Sequence, residues 1–187
     1  QKLKAPVYQE DSPYQQVRIR EDDLFRYLVL DRTFHATMWK ADPVWLFLPY
    51  SQLMVSSLAL APEPKRGLIL GHGGGSIAKW LAQNWPALEL DVVEFDPTVV
   101  RMAEEYFDYH APANHHVSVK DGRAFLNGTD RTYDVMWIDA FARDMIPFHL
   151  TTVEFFSLVR AHLNPDGVVA VNLASSGTEG DLARAAA

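Results

Sequence analysis

Three carboxylates give the first indication of chemistry. Glu94 follows the apolar run Leu90-Asp91-Val92-Val93, Asp121 follows Val117-Ser118-Val119-Lys120, and Asp139 follows Tyr133-Asp134-Val135-Met136-Trp137-Ile138. Each run reads as a β-strand, so each acid falls at a strand's carboxyl end, which is where an open parallel sheet binds its ligands. A carboxylate there can grip the hydroxyl pair of a ribose, accept from an exocyclic amine, or take a proton from an amine about to react. Any one strand-end acid can equally be a helix cap. Three along one edge favour a site.

A glycine-rich turn stands before these acids. Leu68-Ile69-Leu70 breaks into Gly71-His72-Gly73-Gly74-Gly75, and Ser76 to Leu81 then resumes with helical spacing. This is strand, turn, helix. Glycines in such a turn let the backbone approach a ligand at the helix N-terminus, and an acid about twenty residues on holds the ribose. Glu94 stands at that distance, and Pro97 suits the first position of the next helix. The residues therefore predict a nucleoside site, with Glu94 on the ribose and Asp121 at the adenine amine. Asp139, in front of the glycine turn, remains for chemistry. His72 can approach the ligand or face solvent. His115, His116 and His149 lack helical metal-ligand spacing, and no metal is expected.

The elements that must position these groups alternate along the chain. Residues 1–13 are polar and predict a loosely held lead-in. Tyr14–Arg20 and Phe25–Leu30 flank Glu21-Asp22-Asp23 as a hairpin, and a third short strand is expected over His35–Trp39. Residues 43–60 predict a mostly buried helix with Pro43 in its first turn and a kink at Pro49. Helices follow at Ser76, Thr98–Phe107 and Thr151–Leu163, and a turn at Pro165-Asp166-Gly167 precedes a fifth strand over Val168–Leu173. The fold class predicted is α/β: a Rossmann-like, doubly wound, mostly parallel sheet with a small N-terminal antiparallel sheet. Residues 1–42 form the small sheet, and residues 43–187 the nucleoside-binding domain.

The chain has 187 residues, 48% of them hydrophobic, enough for one sizeable core. A formal charge of -7 without a basic block argues against nucleic acid and suits a cationic small substrate. With no cysteine, disulfides and thiolate chemistry are excluded. The longest apolar stretch, Pro43 to Leu60, is too short and polar to span a bilayer, so no membrane partner is expected. The chain starts at Gln1 and ends on Ala185-Ala186-Ala187 within a helical pattern, and truncation at the C-terminus is the expectation.

Several segments together resemble the spermidine synthase (polyamine aminopropyltransferase) family, a branch of the class I S-adenosylmethionine-dependent methyltransferase fold. Gly71-His72-Gly73-Gly74-Gly75 sits where that family has GGGDGG. Val93-Glu94-Phe95-Asp96-Pro97 resembles its VEIDP, and Asp121-Gly122-Arg123-Ala124-Phe125-Leu126 its DGxxFL. Tyr133-Asp134-Val135 through Asp139 resembles YDVIxxD, and Leu150-Thr151-Thr152-Val153-Glu154-Phe155-Phe156 resembles LxTxEFY. Ser12-Pro13-Tyr14-Gln15 is similar to the start of its N-terminal hairpin, and Asn164-Pro165-Asp166-Gly167 to its PGG turn.

The resemblance implies that Gln15, Glu94, Asp121 and Gly122 hold the adenosine of decarboxylated S-adenosylmethionine over Gly71, Gly73 and Gly75, with Asp139 catalytic. Tyr50 and Asp144 would serve a small-molecule amine, and the protein would be a cytoplasmic homodimer. Three departures bear on specificity. Gly74 replaces the aspartate that holds the aminopropyl ammonium, so intact S-adenosylmethionine becomes admissible. Arg143 enters the loop after Asp139, and Gln52 replaces a glutamate beside Tyr50. Aminopropyl transfer with altered amine specificity, methyl transfer on the same scaffold and nucleoside binding without turnover all remain open on these residues. The family also continues through further strands, and an exposed sheet edge would need cover from a partner copy.

Overall fold

The computed structural model describes residues 5–141 and 146–173. Two sheets are built. The first is antiparallel and runs β1 (Tyr8–Asp11), β2 (Gln16–Glu21), β3 (Phe25–Leu30), β4 (Thr33–Trp39) in that order. Residues alternate across its faces, so Val17, Ile19, Leu28, Leu30, Ala36 and Met38 are buried together. The lead-in expected to be loose supplies β1, with Tyr8 opposite Ile19 and Asp11 opposite Gln16. A strand reading Tyr-Gln-Glu-Asp has no apolar alternation to reveal it. What holds it is the ladder and Arg101, which reaches the Tyr8 hydroxyl at 3.0 Å and pairs with Glu10.

The second sheet is parallel, in the order β7 (His115–Val119), β6 (Glu89–Glu94), β5 (Arg66–Leu70), β8 (Tyr133–Ile138), β9 (Leu163–Val171). Its helices are α1 (Pro49–Ser56), α2 (Ser76–Asn84), α3 (Pro97–Tyr106), α4 (Gly122–Asn127) and α5 (Val153–Ala161). One face carries Ile69, Leu90, Val92, Val135 and Trp137 against α1, α2 and Ala103 of α3. The opposite face carries Leu68, Leu70, Val93, Met136 and Ile138 against Leu126 of α4 and Phe155 and Val159 of α5. The doubly wound prediction is borne out. α3 lies between the sheets, because its Val99 and Met102 pack with the N-terminal sheet while Ala103 packs with the parallel one.

Three expectations about single elements are corrected. No helix covers 43–60: α1 begins at Pro49 and gives way to a 3-10 turn at Ser57–Leu60. Pro49 is the first residue of the helix rather than a kink, at the position where a fixed φ helps and a missing N–H costs nothing. The turn at Pro165-Asp166-Gly167 lies within β9, because Leu163 pairs with Tyr133 and Val168 with Val135, leaving Asn164 to Gly167 as a bulge opposite Asp134. The helix expected over 151–163 is shorter, opened by Thr152, whose hydroxyl accepts from the Phe155 amide at 3.2 Å. A short helix not anticipated from the sequence, α4, follows Asp121.

Trp137 fixes α1. Its indole is fully buried and donates to the Met54 carbonyl at 2.9 Å and to the Ser57 hydroxyl at 3.1 Å. The ring also explains Gly67 within β5, since a Cβ there would lie 2.8 Å from Trp137 Cζ3. Among the described residues no helix is long and apolar enough to cross a membrane.

Candidate active site

A cavity of about 560 Å³ opens at the carboxyl edge of the parallel sheet, beneath the N-terminal sheet. Gly71 to Gly74, Glu94, Asp121 and Asp139 all line it. The turn is held by backbone: the Gly71 amide donates to the Val93 carbonyl at 2.8 Å, and Gly75 to His72 at 2.9 Å. Gly71 has φ +97°, and a Cβ there would lie 2.3 Å from the Asp139 carbonyl oxygen. Only glycine allows the turn to lie directly against the end of β8.

Glu94 ends β6 with its side chain almost fully buried and folded back on the turn. One carboxylate oxygen accepts from the His72 amide at 2.9 Å, the other from the Asp96 amide at 3.1 Å. Burial pushes its carboxyl upward in pKa, while the amides of His72, Asp96 and Gly73 pull it down. Glu94 thus ties the glycine turn to the end of β6 and keeps a carboxylate edge in the cavity.

Asp139 is built by the period of β8. Val135, Trp137 and Asp139 project to one face, the face covered by α1. Tyr50 stands one helical turn before Met54 of α1, so the anchor that seats Met54 over Trp137 seats Tyr50 over Asp139. The Tyr50 hydroxyl donates to Asp139 Oδ2 at 3.2 Å, and the Asn172 amide donates to Oδ1 at 2.8 Å. Burial pushes the Asp139 carboxyl up to about 6. The bonds from Asn172 and Tyr50 oppose that rise, and the charge of Glu94 adds to it. Tyr50 is pushed above the ordinary phenol range by burial, then by Asp139, so it stays a hydrogen-bond donor. A carboxylate ionising near 6 is suited to accept a proton at neutral pH.

Asp121 has a double role. Its Oδ1 caps α4 by accepting from the Ala124 amide at 2.9 Å, and its Oδ2 lies 2.6 Å from His149 Nε2. Burial would raise its carboxyl, but the Ala124 amide and His149 outweigh it and hold it below the ordinary range. Gly122 follows at the cavity wall, where a Cβ would only touch Leu70 at 3.4 Å. Gln15 also lines the cavity, with Nε2 on Asp96 Oδ2 at 3.1 Å.

Residues 47–179 match the spermine/spermidine synthase domain family. The chain belongs to that family. It is 41% identical over 124 residues to a probable polyamine aminopropyl transferase of Bifidobacterium longum, covering 66% of this chain and 27% of that one. To the polyamine aminopropyltransferase of Vibrio vulnificus it is 31% identical over 178 residues, 91% of this chain and 60% of the relative. A crystal structure of spermidine synthase in complex with the transition-state analogue AdoDATO superposes with TM-score 0.73 at 26% identity, covering 89% of this chain and 57% of that one. The chain spans less than two thirds of the length of each of these relatives.

The fold brings together Tyr50, Gly71, Gly73, Glu94, Asp121, Gly122 and Asp139 of this domain, and Gln15, directly before β2 of the N-terminal sheet, around one cavity. Gly75 stands behind them as the left-handed residue that starts α2, with φ +69°. Asp144 and Arg143 lie outside the described residues. Gly74 bears differently on the site than the sequence implied. A Cβ there would lie 2.8 Å from Ala36 Cβ and 3.0 Å from Phe107 Cδ1, so the position faces the N-terminal sheet and the end of α3. Packing accounts for this glycine and leaves no room there for an aspartate side chain.

His72 lines the cavity but is buried from bulk water. Its buried ring meets Tyr109 edge-on with centroids 4.8 Å apart. Burial, then Lys79 and His115, lower its pKa to about 4. Asn172 at the cavity and Asp96 behind it have no role assigned from sequence, and His149 is considered only as a metal ligand. Asp96 alone had a local signal, since an aspartate directly before Pro97 reads as a helix cap. No group of three His, Cys, Asp or Glu side chains that could hold a metal ion occurs among the described residues.

Proposed function

We propose that this domain binds decarboxylated S-adenosylmethionine and transfers its aminopropyl group to a small amine. The observation that carries the reading is Asp139: a partly buried carboxylate with an elevated pKa, held by Asn172 and Tyr50 in the cavity that Glu94 and the glycine turn line. Glu94 would take the ribose and Asp121 the adenine amine, with Gln15 and Gly122 beside them. The acceptor nitrogen attacks the aminopropyl carbon, the carbon–sulfur bond breaks, and sulfur keeps the electron pair as the neutral thioether of methylthioadenosine. Asp139 takes the proton that the acceptor amine must give up. Alignment of nitrogen, carbon and sulfur supplies much of the rate. Tyr50 and Asp144 would contact the amine. A homodimer in the cytoplasm goes with this reading, and light scattering tests the first part of it.

The test is turnover of the decarboxylated donor with putrescine, cadaverine, agmatine and spermidine by wild type and Asp139→Asn. The variant should lose about 10² to 10⁴ in rate while calorimetry shows methylthioadenosine affinity nearly intact. Activity in the variant within a few-fold of wild type removes Asp139 from its role. Methyl transfer from intact S-adenosylmethionine, with no aminopropyl transfer, overturns the assignment.

A further inference from the structure

The backbone of Asn172 is pinned where β9 ends. Its N–H donates to the Ile138 carbonyl at 2.9 Å, one residue before Asp139, whose own N–H donates to the Leu70 carbonyl at 2.8 Å. Both residues are thus held by the sheet rather than by a free loop. Across them runs the bond from Asn172 Nδ2 to Asp139 Oδ1 at 2.8 Å, shorter than the 3.2 Å between Tyr50 and Oδ2. Asn172 also lines the cavity.

We propose that Asn172 is a positioning residue for the transfer reaction: its amide fixes Asp139 Oδ1 and leaves Oδ2, shared with the Tyr50 hydroxyl, to meet the acceptor amine. The inference rests on the function assigned above. An asparagine amide neither gains nor loses a proton near neutral pH, so it donates to the carboxylate under all conditions the enzyme meets. Two consequences follow. It fixes the carboxylate plane, so the oxygen that takes the proton stays in one place. It also favours the ionised acid against burial and against Glu94. Tyr50 of α1 and Glu94 of β6 are the titratable groups that act on Asp139 among the described residues. Tyr50 remains a neutral donor, so without Asn172 a single donor opposes burial.

Asn172→Leu and Asn172→Asp separate this role from packing. Leucine removes the donor. Aspartate keeps the shape but sets a second carboxyl against Oδ1, and two carboxyls that close share a proton. The Asp139 carboxyl carbon, followed by NMR titration, should ionise at higher pH in both variants, by about half a unit or more in Asn172→Leu and by more in Asn172→Asp. The acidic limb of kcat should move with it. At pH 7, kcat should fall about tenfold or more, with methylthioadenosine affinity within about threefold of wild type. Should the leucine variant not fold, the near-isosteric aspartate variant carries the test. Reduced kcat with an unmoved Asp139 titration and an unmoved limb makes Asn172 a packing residue and overturns the inference. A shifted titration in a protein that transfers no aminopropyl group instead overturns the assigned activity and leaves the hold on Asp139 standing.

Discussion

Asp139 should cost the fold stability at neutral pH. Its carboxyl is pushed from 3.8 to about 6, mainly by burial. Between those values the folded state keeps a proton that the unfolded chain has released, so stability falls as pH rises through the window and stays lower above it. Two units correspond to about 3 kcal/mol at neutral pH. Asp139→Asn cannot ionise and escapes that cost, although its amide can accept from Asn172 or from Tyr50 but gives up part of the present pairing, a loss of about 1 kcal/mol. The variant should therefore be more stable than wild type by about 2 kcal/mol at pH 8, with the difference shrinking toward zero or reversing near pH 4. Urea melts of both proteins at pH 4.5, 6 and 8 measure this directly. A wild type that is as stable as the variant at pH 8 would refute the reasoning, because it would mean that the carboxylate is solvated well enough to ionise freely. Such a carboxylate would also be a weaker base.

The buried histidines act in the opposite sense. His72 and His115 are lowered from 6.5 to about 4, chiefly by burial, so the unfolded chain takes up protons before the folded one, and stability should drop by up to about 3 kcal/mol per residue as pH falls from 6.5 to 4. The urea midpoint should decline over that range, and a midpoint that is level or rising down to pH 4.5 would contradict it. Two glycines of the site should respond differently to a methyl group. Gly71→Ala meets the Asp139 carbonyl and a left-handed φ and should lose about 3 kcal/mol or fail to fold, whereas Gly122→Ala should stay within about 1 kcal/mol of wild type by thermal melts.

The parallel sheet and the three strand-end carboxylates were legible because each rests on a local pattern: an apolar run, a glycine turn, a helix with one apolar face. Asp139 beside Tyr50 was legible only as a resemblance, since the contact depends on where α1 sits, and the sequence misplaced the start of α1. Asn172 and His149 carry no local signal. Asn172 meets Asp139 through the register of β9 on β8, and a bulge at Asn164 to Gly167 resets that register. His149 meets Asp121 from a 3-10 turn beyond the next strand. Of the three acids, Asp121 does turn out to cap a helix, so the cap and site readings were not exclusive.

Asp96 shows why the N-terminal sheet belongs to the site rather than beside it. The residue is wholly buried, and its two oxygens divide their partners. Oδ1 accepts from the Thr98 amide at 2.9 Å and caps α3. Oδ2 accepts from the Ser12 hydroxyl at 2.7 Å and from Gln15 Nε2 at 3.1 Å. A helix cap contributes about 1 kcal/mol, and a buried bond to a charged acceptor about 1.5 to 3 kcal/mol. The carboxylate that starts α3 therefore also latches the hairpin beside Glu94, two residues away. The same sheet reaches the glycine turn through β4, where Ala36 sits against Gly74 and leaves no room for a side chain. Leu30 of β3 and Thr33 and Ala36 of β4 then line the cavity that the parallel sheet leaves open. A nucleoside bound on Glu94 would thus be enclosed by two sheets that Asp96 joins by hydrogen bonds and that Val99 and Met102 join by packing.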